Sequence, residues 1–492
     1  MFIDPFACTD FYKIGHIKQY PKRTEMVYSN MTARDSSHAN TIFGDKFVIN
    51  FGLQYVIQKF LVEDWNQNFF DRPEEEVVAR YERRISATLG EPHADSTHVR
   101  ALHKLGYLPI LIKALPEGAR VPVGVPLFTI QNTEPEFFWL TNFLETALSG
   151  FLWKPITSAT MAYEYRRLFD QYAEETGGDK EFVPFQGHDF SFRGMSNVED
   201  AALSGAAHLT SFVGTDSIIA IDLLEQYYQA DVTKGLVGCS VPATEHSVMC
   251  MGGELDEKAT FERLIGELYP AGIVSIVSDT WDFWKVVTET LPELKYKILE
   301  RDGKLVIRPD SGDPVNIICG DLGAKRGSPE FKGLIECLWD TFGGETNEKG
   351  YKKLDYHIGA IYGDAINLVR AEDIMRRLAD KGFTSDNVVL GIGSFTYQYV
   401  TRDTHGFAIK STAGQLDGEI VEIFKDPKTD SGIKKSAKGL LRVSKNQQRK
   451  YELHDQQTPD EEKEGELKTV FINGEPFNRW SLEDIRERIA NG

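Results

Sequence analysis

The chain is poor in several things that define whole classes of protein. It has five cysteines in 492 residues (Cys8, Cys239, Cys250, Cys319 and Cys337), widely spaced and without a C-x-x-C pair. That excludes a disulfide framework and a thiolate zinc site, and it points to a reducing, cytoplasmic setting. Basic charge is scarce: 55 Lys and Arg face 74 Asp and Glu, for a net charge of -19. A broad nucleic-acid face is therefore not expected, although a local basic pocket for a phosphorylated small molecule remains open. No apolar run reaches the roughly 18 residues of a membrane helix, so no membrane partner is expected. The start, Met1-Phe2-Ile3-Asp4-Pro5, lacks the basic region of a signal peptide. There is no Walker A motif, and Gly391-Ile392-Gly393-Ser394-Phe395-Thr396 lacks the third glycine of a dinucleotide fingerprint. Internal repeats and low-complexity tracts are absent too.

What the chain does have is a series of apolar β-like runs, each ending in a polar cluster. Ile273-Val274-Ser275-Ile276-Val277 ends in Ser278-Asp279, and Leu305-Val306-Ile307 ends in Arg308-Pro309-Asp310-Ser311-Gly312-Asp313-Pro314. His357 to Tyr362 ends in Gly363-Asp364, and Asn387 to Leu390 ends in Gly391-Ile392-Gly393-Ser394. Helix-like segments separate these runs. The alternation predicts repeated βα units around a parallel sheet, with the chemistry in loops at the carboxyl ends of the strands. Apolar residues at 41% make a large core affordable.

Outside that region the pattern is mixed. Helices are expected over 51–62, 137–148 and 160–175, and strands over 108–115 and 121–130. The acidic stretch 455–466 reads as a solvated surface loop. Asn473-Gly474 signals a hairpin, and Ser481 with Asp484 forms a capping box for a terminal helix. The expected division is a discontinuous, mostly β domain from residues 1–150 and 395–492, flanking an α/β barrel from 151–394.

Each candidate group carries two readings. In the run from Arg308 to Pro314, a carboxylate can hold a ribose diol and the arginine can fork onto a phosphate; the other reading is a turn with a capping aspartate. Gly363-Asp364 and Gly393-Ser394 can bring backbone N–H groups to a phosphate or be ordinary turns. His246 can serve as acid, base or phosphoryl acceptor with Asp279 orienting it, or be a surface or capping histidine. Phe190 and Arg193 offer a stacking face and an anion contact, or Phe190 is core. Asp216 precedes a helix and could be its cap. Arg402, Lys410, Lys425, Lys434, Lys435 and Lys438 suit a polyanion, or are scattered surface charge.

Nine segments in order resemble the nicotinamide phosphoribosyltransferase family: TDFYKIGHIKQYP (9–21), HDFSFRG (188–194), GAAHLTSFVGTD (205–216), SVPATEHS (240–247), VSDTWDF (277–283), IRPDSGDP (307–314), YGDAIN (362–367), TRD (401–403) and FKDP (424–427). The resemblance implies the irregular α/β barrel of type II phosphoribosyltransferases with a mostly β domain from both chain ends. It implies a homodimer with shared active sites, nicotinamide and phosphoribosyl pyrophosphate as substrates, Mg²⁺ held mainly through the pyrophosphate, and ATP hydrolysis coupled through a phosphohistidine at His246.

By the same resemblance, Phe190 and the partner's Tyr12 would sandwich the pyridine, and Asp216 would accept from the carboxamide. Asp310 would hold the ribose hydroxyls. Gly363, Asp364 and Gly393 would hold the 5′-phosphate, with Arg402 reaching in from the partner. Arg193 and Arg308 would face the pyrophosphate, and Arg34, Lys410, Lys425 and Lys434 the polyphosphate. Ser394 stands where the family often has a second glycine, which puts the loop shape in question. The rivals are a nicotinate phosphoribosyltransferase, a non-catalytic metabolite-binding barrel, and a nucleotide-sugar or aldolase-like barrel.

Overall fold

A computed structural model describes residues 3–424 and 437–492. Its centre is a parallel sheet of six strands: β1 (Gly187–Asp189), β2 (Gly214–Thr215), β3 (Val274–Val277), β4 (Leu305–Arg308), β5 (Ile358–Tyr362) and β6 (Val388–Ile392). Their order is β2-β1-β6-β5-β4-β3. All four residues of β3 and all five of β5 are buried, as expected of strands covered on both faces. The four apolar runs read from the sequence are β3 to β6.

The edges of this sheet are joined by residues 239–244. On one side the Thr215 N–H donates to the Cys239 carbonyl at 2.9 Å and the Cys239 N–H to the Val213 carbonyl at 2.7 Å. On the other, the Thr244 N–H donates to Ser275 at 3.0 Å and the Ser275 N–H to Pro242 at 2.9 Å. Pro242 has no N–H to give, so this closing segment cannot form a regular ladder. The barrel is irregular there for that reason. Register matches Val277 with Arg308, Tyr362 with Leu390 and Ile392 with Asp189, so the carboxyl ends open onto one mouth.

A seven-stranded sheet with antiparallel pairing draws on both chain ends, from Thr24–Thr32, Ile110–Ala114 and Pro126–Asn132 to Ala408–Leu416, Glu419–Glu422, Lys468–Ile472 and Glu475–Pro476. The helix expected over 137–148 is divided between the short helix Leu140–Phe143 and the start of α1 (Glu145–Thr176), which also contains the one expected over 160–175. The buried apolar residues of α1 up to Ala159 pack in the flanking core, and those from Met161 pack in the barrel core. The helix runs through Pro155, whose ring lies against Gly52; a Cβ at Gly52 would come within 2.9 Å of it.

Two other expectations are corrected. The strand read over 121–130 breaks at Gly124 (φ 93°) into Arg120–Pro122, paired with Phe47–Ile49, and Pro126–Asn132 in the large sheet. The acidic stretch is structured: Tyr451–Gln457 is a strand and Pro459–Lys463 a helix with a Thr458/Glu461 capping box. Within it Glu462 is buried and ion-paired with Lys113, so this carboxylate is not solvated. The helix expected over 51–62 runs from Leu53 through wider turns to Phe70. Asn473 and Gly474 turn the hairpin at φ 50° and 86°, and Ser481 caps Leu482–Asn491 as expected. Among the described residues no helix is long and apolar enough to cross a membrane.

Candidate active site

The loops after the strands line a cleft of about 1070 Å³. It holds Phe190, Arg193, Asp216, His246, Arg308, Asp310, Gly363, Asp364, Gly393 and Ser394. A narrower apolar channel of about 180 Å³ enters the barrel beneath it and shares Phe190, Asp216 and Arg308 with the cleft.

Phe190 follows β1, and its N–H donates to the Ile392 carbonyl at 3.1 Å. Its ring lies across two glycines. A Cβ at Gly391 would meet the ring at 2.3 Å, and one at Gly363 at 2.9 Å. Gly363 is thus required by the close approach of an aromatic ring, a reason the sequence reading had not supplied. Gly393 differs, since the nearest atom to a Cβ there is 3.9 Å away. The Arg308 guanidinium sits 5.2 Å from the centre of the Phe190 ring.

Asp279, at the end of β3, joins three loops. His246 Nε2 lies 3.2 Å from its Oδ1. Its Oδ2 accepts from the Asp310 N–H at 2.9 Å and the Ser311 hydroxyl at 2.6 Å. The Asp279 side chain is 4% exposed and that of His246 is 49% exposed, so the carboxylate is the fixed partner. Asp313 is a cap, accepting from the Asn316 N–H of Pro314–Cys319; of the two aspartates in the run, Asp310 alone lines the cleft. Tyr362, ending β5, ties the same loop down through the Gly312 carbonyl at 2.9 Å.

Asp216 is no helix cap, because Ser217 occupies that position before Ile218–Tyr227. Its Oδ1 accepts from His188 Nε2 at 2.9 Å and from the Ser240 hydroxyl at 2.6 Å. Burial pushes the Asp216 carboxyl up, but those two hydrogen bonds and the charges of His188 and Arg308 outweigh it and hold it below its ordinary range. Neither His188 nor Ser240 was assigned a role from sequence. The signal was there: His188 lies on β1 two residues before Phe190, the spacing that puts extended residues on one face.

The Ser394 question has a geometric answer. Gly393 has φ −105°, Ser394 opens the helix Ser394–Tyr397, and neither needs a left-handed backbone. The Ser394 side chain packs on Gly194, where a Cβ would come within 2.1 Å of its hydroxyl oxygen.

Asp279 sits behind His246 and Asp310 rather than in the lining, and several other predicted residues lie outside this cleft. Tyr12 is 62% exposed on the short helix Phe11–Ile14, which is pinned by the Lys13–Glu145 ion pair. Arg402 borders a separate groove with Cys8 and Thr9, which precede the Tyr12 helix. Arg34 donates to the Gly406 carbonyl at 2.8 Å, and Lys410 pairs with Asn30 in the flanking sheet. Lys425, Lys434 and Lys435 lie outside the described residues; Lys438 is ion-paired with Glu422. Among the described residues no group of three or more His, Cys, Asp or Glu could hold a metal ion.

The barrel thus presents anion-ready loops and an aromatic–carboxylate pocket at one mouth. Residues 185–475 match the model of the nicotinate phosphoribosyltransferase (NAPRTase) family, and residues 6–85 match the nicotinamide phosphoribosyltransferase N-terminal domain. The chain is 55% identical to a nicotinamide phosphoribosyltransferase of Acinetobacter baylyi, over 99% of this chain and 97% of that one. It is 33% identical to one of Xanthomonas campestris, over 97% and 96%. A nicotinate-nucleotide pyrophosphorylase of Pyrococcus furiosus shares the fold (TM-score 0.58, 15% identity, 99% and 95% covered). The chain belongs to the nicotinamide phosphoribosyltransferase family.

Proposed function

We propose that the enzyme transfers the phosphoribosyl group of 5-phosphoribosyl 1-pyrophosphate to nicotinamide, giving nicotinamide mononucleotide and pyrophosphate. The observation that carries the acceptor is the pairing of Phe190 with an ionised Asp216 where cleft and channel meet. The ring stacks the pyridine, and the carboxylate accepts from the carboxamide N–H₂. The ring nitrogen has no proton to lose, so the site needs alignment rather than a base. As the C1–O bond to pyrophosphate breaks and the N–C1 bond forms, charge gathers on the leaving group, where Arg193 and Arg308 meet it. Asp310 holds the ribose hydroxyls, and Gly363, Asp364 and Gly393 the 5′-phosphate.

Mg²⁺ ordinarily binds through one or two carboxylates plus substrate phosphates, and Asp310 and Asp364 in the cleft fit that use. The ion would supply neutralisation of pyrophosphate charge. Tyr12 and Arg402, carried away from their own cleft, fit a homodimer in which each completes the partner's site. With Nε2 engaged by Asp279, His246 presents Nδ1 for transient phosphorylation by ATP.

The test is a turnover assay with nicotinamide or nicotinate, with and without ATP, on the wild type and His246→Ala. Nicotinamide mononucleotide is expected as the product, stimulated by ATP in the wild type and unstimulated in His246→Ala. Nicotinate mononucleotide as the main product would overturn the acceptor assignment. Full stimulation in the variant would overturn the role of His246.

A further inference from the structure

We propose that His188 and Ser240 are the specificity-setting residues of the acceptor pocket. They keep Asp216 ionised, so that the pocket accepts from an amide and repels a carboxylate. This rests on the acceptor reading above and adds the groups that enforce it.

The two donors converge on one oxygen. His188 Nε2 and the Ser240 hydroxyl both reach Asp216 Oδ1, at 2.9 and 2.6 Å. Oδ2 has no hydrogen bond among the described residues, which leaves it to accept from the ligand. The backbone of Asp216 is fixed by its N–H to the Asp189 carbonyl at 3.0 Å. His188 is equally fixed. It is 8% exposed, packs 4.8 Å from the Phe190 ring, and its Nδ1 crowds Gly214, where a Cβ would come within 2.7 Å. It cannot turn away from the carboxylate without displacing the stacking ring.

The balance at Asp216 is a contest between burial, which favours the neutral acid, and its donors, which favour the anion. Around the pair stand Arg308 from β4, the Cys239 thiol from the closing segment and buried His208 behind β1, and the channel is lined further by Lys304, Lys353 and Asp386. Without His188 and Ser240, Oδ1 loses both of its hydrogen-bond donors, and burial gains the upper hand. A protonated Asp216 is a hydrogen-bond donor, and it would welcome the carboxylate of nicotinate. Selectivity would then depend on pH, which simple loss of packing would not produce.

The experiment measures kcat/KM for nicotinamide and for nicotinate between about pH 4.5 and pH 8.5, on the wild type, Ser240→Ala and the double variant Ser240→Ala/His188→Phe. The wild-type ratio should hold within about twofold across that range. In the double variant it should fall as pH falls and recover as pH rises, reaching about tenfold one pH unit below the pKa to which burial has then raised Asp216. Ser240→Ala removes a single hydroxyl from an exposed position and should move the same way by a smaller factor. A wild type that prefers nicotinate overturns the acceptor reading and this inference with it. A wild-type preference for nicotinamide that survives unchanged and pH-independent in both variants overturns this inference alone.

Discussion

The mouth of the barrel and the flanking region contribute to the site in opposite ways. At the mouth, residues far apart in sequence converge: Phe190, Asp216, His246, Asp310 and Gly393 line one cleft. The flanking region carries Tyr12, Arg34, Arg402 and Lys410 outside that cleft, on elements anchored by ion pairs and strand pairing. The barrel loops gather their groups at one cleft, whereas Tyr12 is exposed and Arg402 borders a separate groove.

The largest effect expected breaks this comparison directly. Phe190→Ala and Tyr12→Ala should each lower kcat/KM by two to three orders of magnitude, roughly 3–4 kcal/mol. Mixing the two variants should restore about a quarter of wild-type activity, because half the dimers are mixed and each carries one intact site. No recovery on mixing would mean that Tyr12 does not act across the interface.

The next effect separates the regions by pH. Glu117 is fully buried at the foot of Leu53–Val56, where its Oε1 accepts from the Gln54 N–H at 2.7 Å. Burial pushes its carboxyl from 4.5 to about 7. Below 4.5 both folded and unfolded states are protonated and its contribution is fully present. As pH rises through about 7 the unfolded chain has lost the proton that the folded one kept, so stability falls and then levels off. At about 1.4 kcal/mol per pH unit the loss is roughly 3 kcal/mol. Chemical denaturation from about pH 4.5 to 8 should reveal it, and Glu117→Gln should remove that component.

The smallest effect sharpens the view of the mouth. Gly391→Ala would put a methyl 2.3 Å from the Phe190 ring and 2.7 Å from the Gly363 Cα. A cost of about 1–3 kcal/mol in stability is expected, with a drop in kcat/KM as the ring moves. Gly393→Ala, with open space and φ −105°, should keep wild-type stability. Equal thermal stability of the two variants would contradict the packing given for Phe190.

Local order along the chain made much of this architecture legible. Four apolar runs with polar ends announced β3 to β6 because strands covered on both faces must be continuously apolar. Asn473-Gly474 and the Ser481/Asp484 box announced themselves because turn and cap chemistry is local. Asp279 and Asp310 were visible as strand-end residues, and His246 as a histidine in a polar run. Glu462 was misread as solvated because its partner Lys113 is 349 residues away, and the break at Gly124 was missed inside an otherwise strand-like stretch.

Composition and periodicity thus carried the class of fold, the loops that hold the chemistry and the residue types in them, since all of these follow from neighbours along the chain. Which glycine serves a ring and which leaves room for a ligand depends on distances between loops more than a hundred residues apart. The convergence of His188 and Ser240 on one oxygen of Asp216 spans only 28 and 24 residues, but it too needs separate strand ends brought together. Those were decided when the sheet edges met through residues 239–244, because only a closed barrel brings the ends of its strands to one mouth.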